Sequence, residues 1–155
     1  MQVEHPVTEA IFGVDLVREQ IRVASGLEMS FSQSDLNIDG HAIEVRINAE
    51  KLPNFSPCPG KITAYHAPGG LGVRMDSALY AGYSIPPYYD SLIAKLIIHG
   101  HDRDHALARL RLALQEFVVE PMPTTLDLHR RLVEADAIKS GNYSIKWLEQ
   151  EFLNS

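Results

Sequence analysis

The chain has 155 residues, a formal net charge of −6, 45% hydrophobic residues and 22% charged residues, which predicts one globular core with room for a small additional piece. The negative charge argues against a nucleic-acid partner, and the longest apolar runs, such as 96–98, are too short to cross a bilayer. The single cysteine, Cys58, excludes an intramolecular disulfide and fits a reducing compartment, so we expect a cytoplasmic protein without nucleic-acid or membrane partners.

The first 40 residues predict two helices and a connector. A short helical turn begins at Pro6 and is interrupted near Gly13, and an amphipathic helix follows from 14 to 25, with Gly26 as its C-terminal cap. The apolar positions of the second helix are Val14, Val17, Ile21 and Ala24. Residues 30–40 are polar and without periodicity, which predicts a connector and a domain boundary after residue 38.

The middle of the chain predicts strands. His41 to Asn48 alternates with a period of two, so its branched apolar residues face one side and Glu44, Arg46 and Asn48 face the other. The other predicted strands are Lys61 to His66, Gly72 to Met75 and Ala94 to Ile98, separated by a loop at 51–59, a turn at 68–70 and an irregular segment at 80–90.

The last third predicts helices. Asp102 or Asp104 caps a helix that carries Leu107, Leu110, Leu114 and Phe117 on one face. Val118-Val119 predicts a short strand, Pro121 and Pro123 enforce a break, and two further helices are predicted from Thr124 or Thr125 to Val133 and from Ile145 to Phe152. Strands followed by flanking helices predict an α+β domain.

Three polar features are candidates for chemistry, and each has a purely structural alternative. Glu4 lies next to His5, which Pro6 should hold in an extended conformation, but such a pair is more often solvated or structural. Arg46 is either a guanidinium placed for an oxyanion or a residue on the solvent face of a half-buried sheet. Asp90 either caps a turn or orients an arginine such as Arg46.

Two further patterns argue against the sites that they suggest. The histidines at 99, 101 and 105 have a spacing that a zinc site could use, but they span a strand–turn–helix corner among competing charges, so we expect no metal site. The glycines at 69, 70 and 72 precede residues with strand character. A phosphate loop needs a following helix, so we interpret these glycines as a turn.

Several runs of the chain resemble the biotin carboxylases in order and spacing. The runs are QVEHPVTE at 2–9, GVDLVREQIRVASG at 13–26, GHAIEVRINAE at 40–50, SPCPGKI at 56–62, HAPGG at 66–70, GVRMDS at 72–77 and PPYYDSLIAKLI at 86–97. The chain is most similar to the biotin carboxylase subunit of bacterial acetyl-CoA carboxylase, with propionyl-CoA, methylcrotonyl-CoA and pyruvate carboxylases as alternatives. One departure is Pro121 to Thr125, where the family usually has Gly-x-Lys-Thr-Asn.

This resemblance implies a fold and a domain division. Residues 1–38 would be the helical end of an ATP-grasp domain, and residues 39–155 the biotin carboxylase C-terminal domain, an antiparallel sheet with flanking helices. The chain would be a C-terminal fragment that starts at Met1 in the middle of a domain, so we expect an exposed apolar face on the helix at 14–25.

The resemblance also implies an activity and its residues. The family carboxylates biotin on a carrier protein with ATP and bicarbonate, the first half-reaction of acetyl-CoA carboxylase in fatty acid synthesis. Glu4 resembles the base that deprotonates bicarbonate, Gln2 and Val3 resemble bicarbonate contacts, and Arg46 resembles the residue that holds bicarbonate and stabilises the biotin enolate. Glu4 and Arg46 should therefore converge. Arg74 lies in a segment similar to a homodimer contact.

The implied ligands and partners extend beyond these residues. The full enzyme would use carrier-bound biotin, ATP and Mg²⁺, with the biotin carboxyl carrier protein, the carboxyltransferase subunits and a second copy as partners. The lid, lysines and metal-binding glutamates of the family precede the motif at Gln2, so we expect the isolated chain to be inactive, without a tightly bound cofactor or metal. The alternative is a non-catalytic module that packs or dimerises.

Overall fold

The computed structural model describes residues 1–153, so the last two residues of the domain predicted at 39–155 lie outside the described residues. The helices are α1 (Pro6–Phe12), α2 (Leu16–Ala24), α3 (Arg103–Glu116), α4 (Leu126–Leu132) and α5 (Asp136–Ser140), with a 3₁₀ turn at Gln33–Asp35 and a π-helical turn at Leu148–Phe152. The strands are β1 (His41–Asn48), β2 (Glu50–Lys51), β3 (Ser56–Pro57), β4 (Gly60–Lys61), β5 (Ala64–His66), β6 (Val73–Ser77), β7 (Ser84–Ile85), β8 (Leu92–Gly100) and β9 (Val118–Glu120).

An antiparallel sheet of three strands, in the order β1-β8-β6, organises the fold and confirms the predicted α+β class. The central strand β8 is a nearly continuous apolar run, because helices cover both of its faces and both edges are paired. The register places Arg46 opposite Lys95 and Glu44 opposite Ile97. Three two-stranded ladders, β2-β3, β4-β7 and β5-β9, extend the domain.

The core lies between one face of this sheet and α3. Its sheet side includes Ile47, Leu96 and Ile98, and its helix side includes Leu110 and Leu114. Phe117, at the C-cap of α3, is completely buried in the same cluster, and burial of such a side chain contributes roughly 1.5–3 kcal/mol to stability. The predicted apolar face of α3 is therefore confirmed, although the helix ends one residue before Phe117.

The opposite face of the sheet, here called the polar face, lies against α1 and carries charged side chains beside the buried Ile97 of β8. Alternation along the three strands places Glu44, Arg46, Arg74, Asp76 and Lys95 on this face. Carboxylates of the N-terminal segment form ion pairs with two arginines of this polar face. The sheet therefore separates an apolar core from a charged layer under α1.

The loop before β1 connects α1 to the sheet by hydrogen bonds through Asp39. Asp39 donates its backbone N–H to the carbonyl of Ile11 at 2.8 Å, and the Asp39 carbonyl accepts from the His99 ring at 2.8 Å. In α2, Val17 and Ile21 are 46% and 62% exposed, as expected, whereas Val14 is half-buried and precedes the helix.

Some sequence predictions were wrong in detail. The strand predicted at 61–66 is divided between β4 and β5, because Ile62 donates to Tyr83 while Thr63 donates to Glu120, so adjacent residues pair with different partners. The predicted loop at 51–59 contains β3 and the last residue of β2, and the predicted irregular segment at 80–90 contains β7. The helix α5 was not predicted. The last predicted helix is the π-helical turn at 148–152.

Candidate functional site

The site predicted from Glu4 and Arg46 is assembled in the structure. Arg46 Nη2 donates to Glu4 Oε2 at 3.1 Å, although the two residues are 42 positions apart. Each side chain is 51% exposed, so the pair is open to solvent on one side. A guanidinium has five N–H donors, so Arg46 can hold Glu4 and a small oxyanion at the same time. The prediction that these two residues converge is confirmed.

A turn before α1 carries Glu4 to this position. His5 donates its backbone N–H to Gln2 at 3.4 Å, and the carbonyl of Glu4 accepts from Val7 at 3.3 Å. His5 is in the right-handed helical region, with φ −69° and ψ −6°, so the extended conformation predicted before Pro6 is wrong. The turn and a contact of 3.1 Å between His5 Nδ1 and Thr8 Oγ1 accompany this conformation, which residues before proline usually avoid.

The two remaining residues of the predicted bicarbonate group precede Glu4 directly. Gln2 is exposed and Val3 is half-buried, and both lie at the start of the same turn. Their position next to Glu4 is compatible with contacts to a ligand of Arg46, and that role stays a prediction.

A second ion-pair network attaches α1 to the sheet. Arg74 Nη1 donates to Glu9 Oε2 at 2.7 Å, while its Nε and Nη2 each donate to the carboxylate of Asp76 at 2.9 Å. Hydrogen bonds from Arg74 lower the pKa of Asp76, and bonds to Asp76 and Glu9 raise the pKa of Arg74. Lys95 Nζ lies 3.5 Å from Asp76. Arg74 thus has an intrachain role, and its predicted place in a dimer contact stays a prediction.

Glu44 has the most unusual environment on the polar face. Both of its carboxylate oxygens are shielded from solvent and lack a hydrogen-bond partner among residues 1–153. Burial raises the pKa of Glu44, the positive charges of Lys95 and Arg46 oppose this change, and the negative charges of Asp76 and Glu4 add to it. Glu44 therefore lies beside the candidate site without hydrogen bonds to offset the free-energy cost of burying its charge.

Asp90 has a local contact. Its Oδ1 accepts from the backbone N–H of Leu92 at 2.7 Å, at the start of β8, which corresponds to the turn-capping alternative. The neighbouring residue Ser91 is part of a separate network in which Asn48 donates to Ser91 Oγ at 3.1 Å and to Glu50 at 3.0 Å. The support of Arg46 by Asp90 stays a prediction.

Neither a metal cluster nor a membrane span is found in the described part of the chain. Residues 1–153 contain no group of three or more histidine, cysteine, aspartate or glutamate side chains with the geometry to hold a metal ion. His101 instead pairs with Asp102 at 2.8 Å in the turn before α3. Over the same range, every helix is too short or too polar to span a lipid bilayer.

The sequence interpretation missed several residues of this charged layer. Glu9, Glu44, Asp76 and Lys95 were not assigned a role, although all four lie on or against the face that carries Arg46. Period-two alternation in β6 and β8 could have located Asp76 and Lys95. The contact of Glu9 with Arg74 joins residues 65 positions apart and has no local signal.

Two family models match the chain. The biotin carboxylase C-terminal domain matches residues 44–150, and the carbamoyl-phosphate synthase L chain ATP-binding domain matches residues 1–32. The predicted division between residues 38 and 39 falls in the interval between the two matches and stays a prediction.

Relatives of known name and structure share most of the chain. Biotin carboxylase 1 of Bacillus subtilis is 57% identical over 150 residues, which are 96% of this chain and 33% of that protein. A pyruvate carboxylase subunit of Methanothermobacter thermautotrophicus is 52% identical over 151 residues, 97% of this chain and 31% of that protein. The chain therefore spans about a third of the length of these relatives.

A solved structure agrees with this similarity. The biotin carboxylase domain dimer of Hydrogenobacter thermophilus 2-oxoglutarate carboxylase, in complex with MgADP, ADP and bicarbonate, superposes with a TM-score of 0.93 at 43% identity, over 96% of this chain and 33% of that one. The similarity therefore extends through both the N-terminal segment and the sheet.

Proposed function

The chain belongs to the biotin carboxylase family, and we propose that it supplies the bicarbonate-handling part of the active site of an ATP-dependent biotin carboxylase. The observation that carries the proposal is the 3.1 Å contact between Glu4 and Arg46 on the polar face of the sheet. A base and a fixed cation at one solvent-accessible position are what activation of a small anion requires.

The two side chains have complementary tasks in this proposal. Arg46 holds bicarbonate through N–H donors of its guanidinium, and Glu4 accepts the proton of the bicarbonate hydroxyl. The same guanidinium then faces the ureido oxygen of biotin as negative charge develops on it, which a permanently charged group stabilises. Gln2 and Val3 contact bicarbonate from the turn before α1, and Asp90 supports Arg46 from the start of β8.

The remaining parts of the reaction lie with other residues and partners. ATP transfers its γ-phosphoryl group to the bicarbonate oxygen. Residues 1–153 contain no group of three or more histidine, cysteine, aspartate or glutamate side chains that could hold a metal ion, and we assign the Mg²⁺ of ATP to no residue described here. Biotin arrives on its carrier protein, and carboxyltransferase subunits use the product. A second copy of the protein pairs near Arg74. The name of the Hydrogenobacter domain dimer supports the pairing, and the resemblance of the segment around Arg74 to a homodimer contact supports the location.

The final carboxyl acceptor that we propose is acetyl-CoA, for fatty acid synthesis. A specific observation favours an alternative as well, because the Methanothermobacter pyruvate carboxylase protein is nearly as similar to the chain as biotin carboxylase 1. The bicarbonate chemistry of Glu4 and Arg46 is the same in both cases.

A chimera tests the proposal. The chain replaces the matching third of Bacillus subtilis biotin carboxylase 1, and bicarbonate-dependent ATP hydrolysis and biotin carboxylation are measured. We expect activity in the chimera, a loss of at least about 100-fold in E4Q, since general bases contribute about 10²–10⁴-fold, and a comparable loss in R46M.

Matched controls separate this role from general effects of charge. Arg111 and Glu134 form another exposed ion pair, between α3 and the segment after α4, so R111M and E134Q remove the same charges elsewhere. We expect both controls to keep the activity of the parent chimera. A folded chimera that hydrolyses ATP equally well with and without Glu4 and Arg46 would contradict the proposal.

A further inference from the structure

The backbone carbonyl of Arg46 is held by two side chains from the region of α4. Thr125 Oγ1 donates to this carbonyl at 3.0 Å, and the ring Nε2–H of His129 donates to it at 2.8 Å. Thr125 is only 5% exposed. Its hydroxyl also accepts from the backbone N–H of Asn48 at 3.0 Å, and its own N–H donates to the carbonyl of Asn48 at 3.0 Å. The N-cap and the first turn of α4 thus contact both ends of the three-residue segment 46–48 of β1.

These contacts lie at an irregular place in the sheet. β1 is an edge strand of the three-stranded sheet, so carbonyls on its free side have no ladder partner. The pairing of β1 with β8 also shifts register between Ile47 and Asn48, one residue beyond Arg46. A bulge of this kind changes the direction of nearby side chains. Thr125 and His129 therefore bind the backbone of β1 where hydrogen bonds to a neighbouring strand are irregular on one side and, among the described strands, absent on the other.

His129 contacts the Arg46 carbonyl as a neutral hydrogen-bond donor. A carbonyl can only accept, so His129 carries its proton on Nε2. Burial lowers the pKa of His129, and the hydrogen bond to the Arg46 carbonyl opposes this change. The ring is therefore a neutral donor near pH 7. It supports the backbone of Arg46 without placing a second positive charge beside the guanidinium.

We propose that Thr125 and His129 are positioning residues for Arg46: their two hydrogen bonds to its carbonyl hold the irregular end of β1 and thereby direct the guanidinium toward Glu4 and its anionic substrate. This inference rests on the proposed role of Arg46 in binding bicarbonate. Thr125 is also the last residue of the segment 121–125, which departs from the usual Gly-x-Lys-Thr-Asn.

Two pairs of substitutions test it in the chimera. H129L removes the donor, whereas H129Q places an amide N–H near the position of Nε2. T125V removes the hydroxyl in a side chain of the same shape, whereas T125S keeps it. We expect H129L, which removes one hydrogen bond, to lower kcat/KM for bicarbonate about five- to tenfold. T125V also removes the acceptor of the Asn48 N–H, so its loss should be at least as large, whereas H129Q and T125S should stay within about twofold of the parent.

A control and a second measurement make the result independent of overall activity. H101L changes the residue that follows β8, whose last residue, Gly100, pairs with His41 at the start of β1. His41 and Arg46 are about 17 Å apart along the strand, so H101L should have no effect on kcat/KM. In the 155-residue chain, NMR of the Arg46 carbonyl carbon and of its Nε–Hε group should show shifts in H129L and T125V, with the parent values restored in H129Q and T125S.

The outcomes separate the two proposals. Unchanged Arg46 resonances in H129L and T125V, or equal losses in H129L and H129Q, would overturn the positioning role. If the parent chimera is inactive, the proposed function fails, and the Arg46 resonances alone decide on positioning. If H129L does not fold, the comparison of T125V with T125S decides.

Discussion

We predict that replacing Glu9 by glutamine loosens α1 and leaves the rest of the fold intact. Glu9 lies between two donors: its Oε2 accepts from Arg74 Nη1 at 2.7 Å, and its Oε1 accepts from the backbone N–H of Leu16 at 3.0 Å. Glutamine has nearly the same shape, but its oxygen replaces only one of the two carboxylate oxygens, so its amide N–H₂ group faces the other donor.

The magnitude follows from the exposure of the partners. A hydrogen bond to a charged group contributes about 1.5–3 kcal/mol, and Glu9 is well shielded, with a side chain that is 11% exposed. Arg74 is 46% exposed, so solvent screening reduces the expected loss to about 1–2 kcal/mol. This corresponds to roughly a 5- to 30-fold increase in the population of the open segment.

Hydrogen exchange measures this opening directly. The amides of Glu9 and Gly13, which donate to His5 and Glu9, should exchange about 5- to 30-fold faster in E9Q, whereas the Phe117 amide at the end of α3 should keep its rate. R74M should produce the same local effect, and the double variant should add little to either one. Unchanged exchange in α1, or equal acceleration in α1 and α3, would refute the reasoning.

Two further predictions concern stability. Burial raises the pKa of Glu44, so ionisation of this carboxyl opposes folding. The free energy of unfolding should therefore rise as the pH falls through the folded-state pKa toward the ordinary value of 4.5. Chemical denaturation of E44Q between about pH 4 and 8 should lack this rise, and identical pH profiles for E44Q and the parent would contradict the prediction. Phe117→Ala should lower the free energy of unfolding by about 3–5 kcal/mol, because Phe117 is fully buried and packs edge-on against Tyr65 at 6.1 Å; a loss below about 1 kcal/mol in urea denaturation would contradict its place in the core.

The parts of the fold that were predictable from sequence are those with a local period. β1 alternates with a period of two, and α3 carries its apolar residues at helical spacing, so both were identified close to their bounds. The division of the strand predicted at 61–66 was not predictable in this way, because it depends on distant partners, Tyr83 for Ile62 and Glu120 for Thr63.

The candidate site shows the same division. Alternation in β1 places Arg46 on the polar face, but the resemblance to a family, and not a local pattern, predicted that Glu4 would reach it. Thr125 and His129 lie 79 and 83 positions from Arg46, and their contacts depend on how α4 packs beside the edge of the sheet. No short window of sequence contains that information.

The geometry also explains why Glu4 and Arg46 need separate supports. Glu4 belongs to a short segment whose attachment to the sheet includes Arg74, whereas Arg46 belongs to an edge strand whose irregular end is held from α4. An exposed ion pair by itself contributes only about 0–1 kcal/mol, too little to hold two such elements together. The supports on either side must therefore maintain the 3.1 Å approach, which leaves the pair open to solvent and available to a small anion.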